Sequence, residues 1–369
     1  MRFVVKIGTN LLTDEKNSLN TDFIRNIVGQ IAYLQEKGHD PLIVTSGAVA
    51  AGRSSVKLKK EGRNTPYRQL LAAVGQSFLL QTYGESFKPY GIVIGQVLLT
   101  MADFERKKSF LSTRDTVELM LNHKIIPIIN ENDVTTFDEL KFGDNDNLSA
   151  RLGGAVNADT LILLTDVEGL FNLNPHFHPD AKFIARVSKI TPEIKKMAEI
   201  GHSSKSRGGM VGKIQAAEYA TQAGMNVWVV KGTTPNVLID LVQNKKARGT
   251  LFERQFTPRE ARRKWLQTQQ NFLNFLVLDQ GACQAILERG KSLLPSGIKQ
   301  VKGVFKRGEV VVILRENGEK IGFGQVNYSS KEINLVKGHQ STEMEKILGY
   351  CLDPEIVHRD NMVNQIAKS

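Results

Sequence analysis

Cysteine is nearly absent from this chain, which holds only two among 369 residues, Cys283 and Cys351. They lie far apart and neither belongs to a CxxC pair, which argues against a disulfide framework and against a thiolate metal site. The GxSxG turn of serine hydrolases is also missing, so nucleophilic hydrolysis has no support. We expect both cysteines to be ordinary buried or half-buried residues.

Long apolar runs are missing as well. No stretch approaches the roughly 18 apolar residues that a membrane-spanning helix needs. The N-terminus, MRFVVKIGTN, has neither a basic leader nor an apolar segment with a cleavage site. We therefore expect a cytoplasmic protein that makes no membrane contact.

Acidic residues are outnumbered, since 49 Lys and Arg face 38 Asp and Glu and give a net charge of +11. A cluster of positive charge would indicate nucleic-acid binding. The excess is spread instead: residues 256–369 hold 17 Lys and Arg and 12 Asp and Glu, and the remaining excess lies before them. Anionic small substrates benefit from such a field too, so charge alone does not decide between these partners.

Short apolar runs alternate with helical patterns up to about residue 252. The runs FVVKIGT, PLIVTSG, KIIPIIN and TLILLTD are apolar on both faces, which is typical of parallel strands covered by helices. We predict an α/β domain over residues 1–252, with a mainly parallel sheet sandwiched between helices. Its first helix, FIRNIVGQIAYL, has N-cap candidates in Thr21 and Asp22 and a stop signal in Gly38.

The composition changes after this domain. Residues 253–275 are polar and basic, and we interpret them as a linker or a connecting helix. Short strand-like runs with glycine turns follow and predict a small β-barrel domain over 276–355, then a C-terminal tail over 356–369. The obvious aromatics of these runs are Phe305, Phe323 and Tyr328. At alternating apolar positions such residues are more typical of a core than of a stacking surface for RNA.

Two apolar strands run directly into glycine turns. Lys6 precedes Gly8 in VVKIGTN, and Ser46 precedes Gly47 in VTSGAVAAG. Ligands collect at the carboxyl ends of parallel strands, where a lysine can reach a phosphate and the N–H groups of a helix start can bind an anion. The alternatives, a solvated lysine and an ordinary serine cap, stay open on these residues alone.

Asn and Asp are concentrated in two stretches, INEND and GDNDNLSA. The candidate residues are Asn130, Asp133, Asp144, Asn145 and Asp146. Turn and cap chemistry accounts for some of them. Two such dense clusters exceed what capping needs, however. Carboxylates and amides can receive an α-amino group, while amides also take a carboxylate, so the clusters predict recognition of a zwitterion.

Two further motifs point to a nucleotide. Thr165 and Asp166 end the strand LILLTD, although a strand-ending Asp is common in α/β turns. The second motif is the glycine-rich loop Arg207, Gly208, Gly209, Met210, Val211, Gly212 and Lys213. Its spacing is one residue short of a Walker A loop, and Ile214 replaces the required Ser or Thr. A P-loop NTPase is therefore disfavoured, and a phosphate-binding loop of another type stays open.

Taken in order, VVKIGTN, VTSGAVAAG, INENDV, GDNDNLSA, LLTDVEGL and GGMVGK resemble the amino acid kinase family. The C-terminal stretch with ILERGKSLLPSGI and GVFKRGEVVVI resembles a PUA domain. The combination is similar to the family members that phosphorylate glutamate. This resemblance implies an eight-stranded, largely parallel sheet between helices, with ATP and Mg²⁺ at one side and glutamate at the other.

The resemblance also implies a role for each candidate residue. Lys6 and Lys213 would flank the transferred phosphoryl group, and Asp146 would hold both lysines in place. Glutamate would be bound by Ser46, Asp133 and Asn145, with Asn130 and Asp144 close by. The nucleotide would be lined by Lys6, Gly8, Thr165, Asp166 and the loop from Arg207 to Lys213. The chain departs from the family at Arg207, where a small residue is usual, and at Gly212, where Thr or Ser is usual.

The implied reaction is ATP-dependent phosphorylation of the γ-carboxylate of L-glutamate to L-glutamyl 5-phosphate, the first step of proline biosynthesis. The same resemblance implies feedback inhibition by proline and a homo-oligomer, either a dimer or a tetramer. Two alternatives stay open: a kinase of the same fold acting on aspartate, acetylglutamate or a nucleoside monophosphate, and an RNA-binding or RNA-modifying protein. The RNA alternative leaves the N-terminal motifs unexplained, while RNA binding by the PUA-like domain remains an open additional property.

Overall fold

The computed structural model describes residues 1–14, 18–56, 64–136, 145–173, 178–200, 209–244, 248–268 and 273–364. The chain divides into two compact units, Met1–Pro258 and Arg259–Ser369. The division falls within the segment 253–275, which the sequence predicts to connect two domains.

The described residues of unit 1 form ten strands. They are β1 (Arg2–Ile7), β2 (Asp40–Val44), β3 (Ile94–Leu99), β4 (Ile126–Glu131), β5 (Thr160–Thr165), β6 (Leu170–Phe171), β7 (Phe183–Ile184), β8 (Arg186–Val187), β9 (Asn226–Lys231) and β10 (Gly249–Phe252). Eight of them form one sheet in the order β3-β4-β2-β1-β5-β9-β10-β8, while β6 and β7 pair separately. Among the described strands of the large sheet, only β9 and β10 pair antiparallel. The predicted α/β class with a mainly parallel sheet is confirmed.

Helices cover both faces of this sheet. They are α1 (Thr9–Leu12), α2 (Thr21–Glu36), α3 (Ala48–Ser55), α4 (Thr65–Phe87), α5 (Met101–Glu105), α6 (Lys107–Asn122), α7 (Asn145–Ala155), α8 (Pro192–Ile200), α9 (Met210–Gln222) and α10 (Val237–Ile239). Alternate residues of β1 enter different cores, because Val4 packs on one face while Phe3 and Val5 pack on the other. Burial of both faces explains why the strand sequences are continuously apolar.

The N-terminus of α2 corrects the sequence prediction by one residue. Asn20, rather than Thr21 or Asp22, accepts a hydrogen bond from the Phe23 backbone N–H at 3.1 Å. Gly38 adopts a φ of 83° after the helix, as the predicted stop requires.

Helices α3 and α4 approach each other closely through two glycines. A Cβ atom on Gly75 would lie 1.8 Å from the Ala48 carbonyl oxygen, and one on Gly52 would lie 1.9 Å from the Leu71 carbonyl oxygen. Neither backbone oxygen can yield that much space, so both positions require glycine. Since Ala48 follows the Ser46–Gly47 turn, this contact fixes α4 against the turn that carries a candidate ligand.

Unit 2 contains a five-stranded sheet in the order β12-β11-β13-β14-β15. Its strands are β11 (Phe275–Leu278), β12 (Ile298–Lys302), β13 (Val310–Arg315), β14 (Lys320–Gln325) and β15 (Met362–Asn364). The remaining helices are α11 (Pro258–Thr268), which begins at the last residue of unit 1, and α12 (Gln280–Leu287), α13 (Ser330–Val336) and α14 (Met344–Leu348). Phe305, Phe323 and Tyr328 are buried, as the sequence predicts for core residues.

Two expectations about this unit need correction. Residues 362–364, which the sequence leaves in a tail, form β15 and pair antiparallel with β14, with Val363 and Met362 buried. A short apolar run at the chain end gave no strand signal of its own. Cys283 is buried as expected, whereas Cys351 is exposed.

Within the described part of the chain, none of the helices combines the length and apolarity needed to cross a membrane.

Candidate active site

The register of the large sheet brings four strand ends to one edge. Lys6 on β1 is level with Val44 on β2 and with Leu163 on β5. Val44 is in turn level with Ile129 on β4. The residues that follow these positions, which include Ser46, Asn130 and Thr165, therefore lie at the carboxyl ends of neighbouring parallel strands, where α/β proteins bind their ligands.

A buried ion triad forms the centre of this edge. Asp146, on the first turn of α7, forms ion pairs with two lysines through its two carboxylate oxygens. Oδ1 lies 2.6 Å from Lys6 Nζ, and Oδ2 lies 3.0 Å from Lys213 Nζ. The side chain of Asp146 is 0% exposed, and those of Lys6 and Lys213 are 5% and 7% exposed. The structure thus brings together the three residues that the resemblance assigns to catalysis.

The two ammonium groups determine the ionisation of Asp146. Burial by itself raises the pKa of this carboxyl, but the charges of Lys6 and Lys213 and their hydrogen bonds lower it further, so the pKa lies below its ordinary value. Asp146 is therefore an anion at neutral pH, and the triad keeps a net positive charge of one. Such a fixed positive site favours a ligand that carries or develops negative charge.

An amide cluster lies beside the triad. Asn145, next to Asp146 on α7, directs its side-chain NH₂ to the Thr45 carbonyl oxygen at 2.6 Å, to Ser46 Oγ at 3.0 Å and to Asn130 Oδ1 at 2.9 Å. Asn130 is 2% exposed. Two other predicted substrate-binding residues, Ser46 and Asn130, are thus in direct contact with Asn145.

Asp133 lies in the turn that follows β4, on the wall of a groove of about 730 Å³. The groove is also lined by Gln76 and Gln81 on α4. Gln76 also accepts a hydrogen bond from Asn130 Nδ2 at 2.8 Å, so it connects the groove wall to the amide cluster. Asp144, predicted to lie close to glutamate, is outside the described residues.

The carboxyl end of β5 carries Thr165 and Asp166, which the resemblance assigns to the nucleotide side. Asp166 accepts a hydrogen bond from Thr165 Oγ1 at 3.0 Å and another from Asn10 Nδ2 at 2.9 Å. Burial raises the pKa of Asp166, but these hydrogen bonds, with a smaller effect of the Lys213 charge, bring it below its ordinary value. Gly8 donates its backbone N–H to the Leu164 carbonyl oxygen at 3.3 Å, which holds the β1 turn against β5.

The glycine-rich loop is described only from Gly209 onward, so Arg207 and Gly208 lie outside the described residues. Gly209 has an extended backbone, and α9 begins at Met210. Val211 is exposed, whereas Lys213, two residues later, is buried in the ion triad. The helix thus turns its Lys213 side chain inward while Val211 faces outward.

Sequence reasoning missed several residues that contact the candidates. Gln76 and Tyr83 lie on α4, which carries no recognisable motif, and Tyr83 OH is 2.9 Å from Thr45 Oγ1. Asn10 was within the quoted motif VVKIGTN but was not singled out. The apolar residues of α4 have the spacing of an ordinary helix that covers a sheet. Its place in the site is therefore visible only from its contacts in the folded structure.

Comparison with known proteins matches both units of the chain to known families. Residues 1–231 match the amino acid kinase family, and residues 274–348 match the PUA domain. A glutamate 5-kinase of Proteus mirabilis is 44% identical over 360 residues, which cover 98% of each chain. One from Caldanaerobacter subterraneus is 40% identical over 363 residues, covering 98% of this chain and 97% of the relative.

A solved structure of isopentenyl phosphate kinase matches 68% of this chain with a TM-score of 0.48 and 16% identity. The family match includes Lys6, Asn130 and Thr165 on their strands, Ser46 in the turn after β2, and Lys213 on α9. The chain therefore belongs to the amino acid kinase family and, within it, to the glutamate 5-kinases.

Proposed function

We propose that this protein transfers the γ-phosphoryl group of ATP to the γ-carboxylate of L-glutamate and so forms L-glutamyl 5-phosphate, the first step of proline biosynthesis. The observation that carries this proposal is the buried Lys6–Asp146–Lys213 triad, placed beside an amide cluster at the carboxyl edge of the sheet. Full-length similarity to glutamate 5-kinases supports the same assignment.

The reaction needs no general base. An oxygen of the ionised γ-carboxylate attacks the γ-phosphorus, the bond from that phosphorus to the oxygen shared with the β-phosphate breaks, and ADP leaves with the electron pair. Catalysis of such a transfer consists mainly of positioning and of stabilising negative charge on the phosphoryl oxygens. Two lysines anchored at fixed positions are suited to that task.

Asp146 acts as a positioning residue in this scheme. It places the Lys6 and Lys213 ammonium groups 2.6 Å and 3.0 Å from its two oxygens. An ammonium group has three donors, so a lysine held by a carboxylate can also donate to a phosphate oxygen. Because the ammonium positions are set before ATP binds, little reorganisation is required in the transition state.

The acceptor is assigned to the amide side of the site. Ser46, Asn130 and Asn145 offer a hydroxyl and two carboxamides, and Asp133 offers a carboxylate on the neighbouring groove wall. Together these groups can receive both charged ends of an amino acid. Asp144 completes this set on the strength of the resemblance alone.

The nucleotide is assigned to the other side, with Gly8, Thr165, Asp166 and the start of α9. Mg²⁺ would accompany ATP. Among the described residues no three His, Cys, Asp or Glu side chains are grouped as metal ligands, and Asp146 is engaged by two lysines. Mg²⁺ is commonly held by substrate phosphates and water, with one or two carboxylates. We accordingly assign the ion to the ATP phosphates.

A substrate panel tests the proposal. The purified protein is assayed for ADP formation with ATP, Mg²⁺ and one acceptor at a time: glutamate, aspartate, N-acetylglutamate or UMP. We expect glutamate to support turnover with a kcat/KM at least about tenfold above that of each other acceptor, a margin of about 1.4 kcal/mol in transition-state binding. A preference for aspartate, N-acetylglutamate or UMP would instead assign the protein to a different activity of the same fold.

Three further properties belong to this proposal and rest on the resemblance: inhibition by proline, assembly as a dimer or tetramer, and a cytoplasmic location. RNA binding by unit 2 stays an additional property that rests on the resemblance, and the buried aromatics Phe305, Phe323 and Tyr328 would not serve it as stacking residues.

A further inference from the structure

Three carboxamides form a continuous row from α4 to α7. Gln76 Oε1 accepts from Asn130 Nδ2 at 2.8 Å, and Asn130 Oδ1 accepts from Asn145 Nδ2 at 2.9 Å. The row begins at the groove wall, where Gln76 is half-buried, and ends beside the ion triad, where Asn145 is buried. The resemblance assigns no role to Gln76.

Backbone groups fix the orientation of two of these amides. The Glu131 backbone N–H donates to Asn130 Oδ1 at 2.9 Å, and the Thr45 carbonyl oxygen accepts from Asn145 Nδ2 at 2.6 Å. A backbone N–H can only donate and a carbonyl can only accept, so neither carboxamide can be exchanged end for end without losing a hydrogen bond. Asn130 must therefore present its NH₂ to an acceptor, and Gln76 is that acceptor.

This orientation leaves the Asn145 oxygen without a donor. Asn145 Oδ1 is buried and has no hydrogen-bond partner within the described residues, while its NH₂ contacts three acceptors. A buried polar atom without a partner is costly, and native proteins seldom retain one without a reason. A ligand with a donor group would satisfy it. In the proposed substrate, the α-ammonium group is the donor.

Gln76 is held firmly enough to serve as the anchor of this row. Gln76 follows Gly75, which packs against the Ala48 carbonyl oxygen. A Cβ atom on Gly75 would lie 1.8 Å from that oxygen. Ala48 begins α3 directly after the Ser46–Gly47 turn. The position of Gln76 is thus set relative to Ser46. The Asn145 NH₂ donates to Ser46 Oγ as well as to Asn130 Oδ1.

We propose that Gln76 is a positioning residue that, through Asn130, keeps the Asn145 carboxamide oxygen facing the substrate and thereby selects an acceptor that bears an ammonium group. This inference rests on the proposed function. Without an acceptor at position 76, the buried Asn130 NH₂ has no partner, and rotation of Asn130 to find one withdraws its oxygen from Asn145. The effect should fall on glutamate recognition and not on ATP.

The test compares three full-length variants. Gln76→Met keeps the length of the side chain and removes the acceptor, whereas Gln76→Glu keeps an acceptor oxygen. Gln81→Met is the matched control, because Gln81 lies on the same helix and groove wall but donates to Glu85 at 2.8 Å within the helix. KM for glutamate, KM for ATP and the thermal midpoint are measured for each. Gln76→Ala replaces Gln76→Met if the latter fails to fold.

We expect Gln76→Met to raise KM for glutamate by about tenfold, the loss of roughly one hydrogen bond, with KM for ATP within about twofold of the unsubstituted protein. Gln76→Glu and Gln81→Met should both retain KM for glutamate within about threefold. The inference is wrong if Gln76→Met leaves KM for glutamate unchanged, if Gln81→Met has the same effect, or if Gln76→Glu behaves like Gln76→Met.

Glutarate, which lacks the α-ammonium group, separates recognition of that group from a purely structural role of Gln76. The quantity measured is the ratio of the affinities for glutamate and glutarate. As a competitor of glutamate, glutarate should bind the unsubstituted protein and Gln76→Met equally well, so discrimination between the two ligands falls about tenfold in the variant. An equal loss for both ligands would contradict the inference. Absence of glutamate-dependent turnover in the unsubstituted protein would overturn the proposed function itself, a result distinct from any of these.

Discussion

The two units bury polar groups in different ways. In unit 1 the buried polar residues include three charged side chains, Lys6, Asp146 and Lys213. In the described part of unit 2 the buried polar side chains are all neutral. Those of Gln325 and Asn327 donate to the carbonyl oxygens of Gly308 and Glu355 at 2.8 Å and 3.0 Å. Unit 2 thus uses buried polarity to connect its own loops.

The difference shows where function resides in this chain. Burying an ion costs several kcal/mol, and an apolar replacement of similar volume is often as stable. A buried triad at the carboxyl edge of a parallel sheet is therefore better explained by a ligand than by stability. The neutral hydrogen bonds of unit 2 close loops and need no ligand to explain them.

The largest expected effect is that of Asp146→Asn. Loss of the carboxylate leaves two buried ammonium groups facing a neutral amide, so kcat should fall by about three orders of magnitude. The free energy of unfolding should fall by about 3–5 kcal/mol, as for other broken buried ion pairs. Steady-state kinetics and thermal unfolding measure the two effects. A variant with normal kcat would contradict the role of the triad.

Replacement of either lysine should be the next most damaging change. Lys6→Ala and Lys213→Ala should each lower kcat by about two orders of magnitude, because each removes one preorganised donor to the phosphoryl oxygens. KM for ATP should change much less than kcat. If KM for ATP rises while kcat stays constant, the lysines bind the nucleotide uniformly and do not stabilise the transition state.

Asn145→Ala and Asp133→Ala test the acceptor side and should have smaller effects. Each removes polar groups assigned to glutamate, so KM for glutamate should rise by about tenfold or more while KM for ATP changes little. Equal increases in both KM values would indicate a structural role for these residues.

The pH dependence of the triad has a definite sign. The folded-state pKa of Asp146 lies below the ordinary 3.8, so its contribution to stability is complete above that value and is lost as the pH falls through the lower folded pKa. Between about pH 5 and 8 the stability difference between the unsubstituted protein and Asp146→Asn should therefore be constant. A difference that shrinks within that range would show that Asp146 takes up a proton there.

The smallest effects on catalysis are expected from changes to unit 2. Asn327→Ala should cost about 1 kcal/mol of stability and leave kcat unchanged, in contrast to Asp146→Asn.

A chain ending after Pro258 should also retain glutamate-dependent turnover. This end point keeps the Gln255 N–H bond to the Thr221 carbonyl oxygen at 3.0 Å and the contact of Pro258 with Gly224. A folded fragment without activity would show that unit 2 contributes to the site.

The sequence pattern allowed much of the fold to be predicted, and the resemblance of its motifs to a known family implied the ion triad. Apolar strands alternating with helices indicate a parallel sheet, and Lys6, Asp146 and Lys213 stand in recognisable motifs. Gln76 could not be found in this way, because a glutamine on a covering helix has no distinguishing pattern until the helix is docked. The pairing of β15 was missed for a similar reason, since a three-residue strand is defined by its partner.

The central claim is that the triad serves phosphoryl transfer to a carboxylate. Trapping the product with hydroxylamine tests it most directly, because an acyl phosphate reacts to give a hydroxamate that is measured by its coloured iron complex. With ATP, Mg²⁺ and glutamate, the unsubstituted protein should give glutamyl hydroxamate in amounts equal to the ADP formed, and Asp146→Asn should give almost none. Formation of ADP without hydroxamate, or at the same rate without glutamate, would contradict the account.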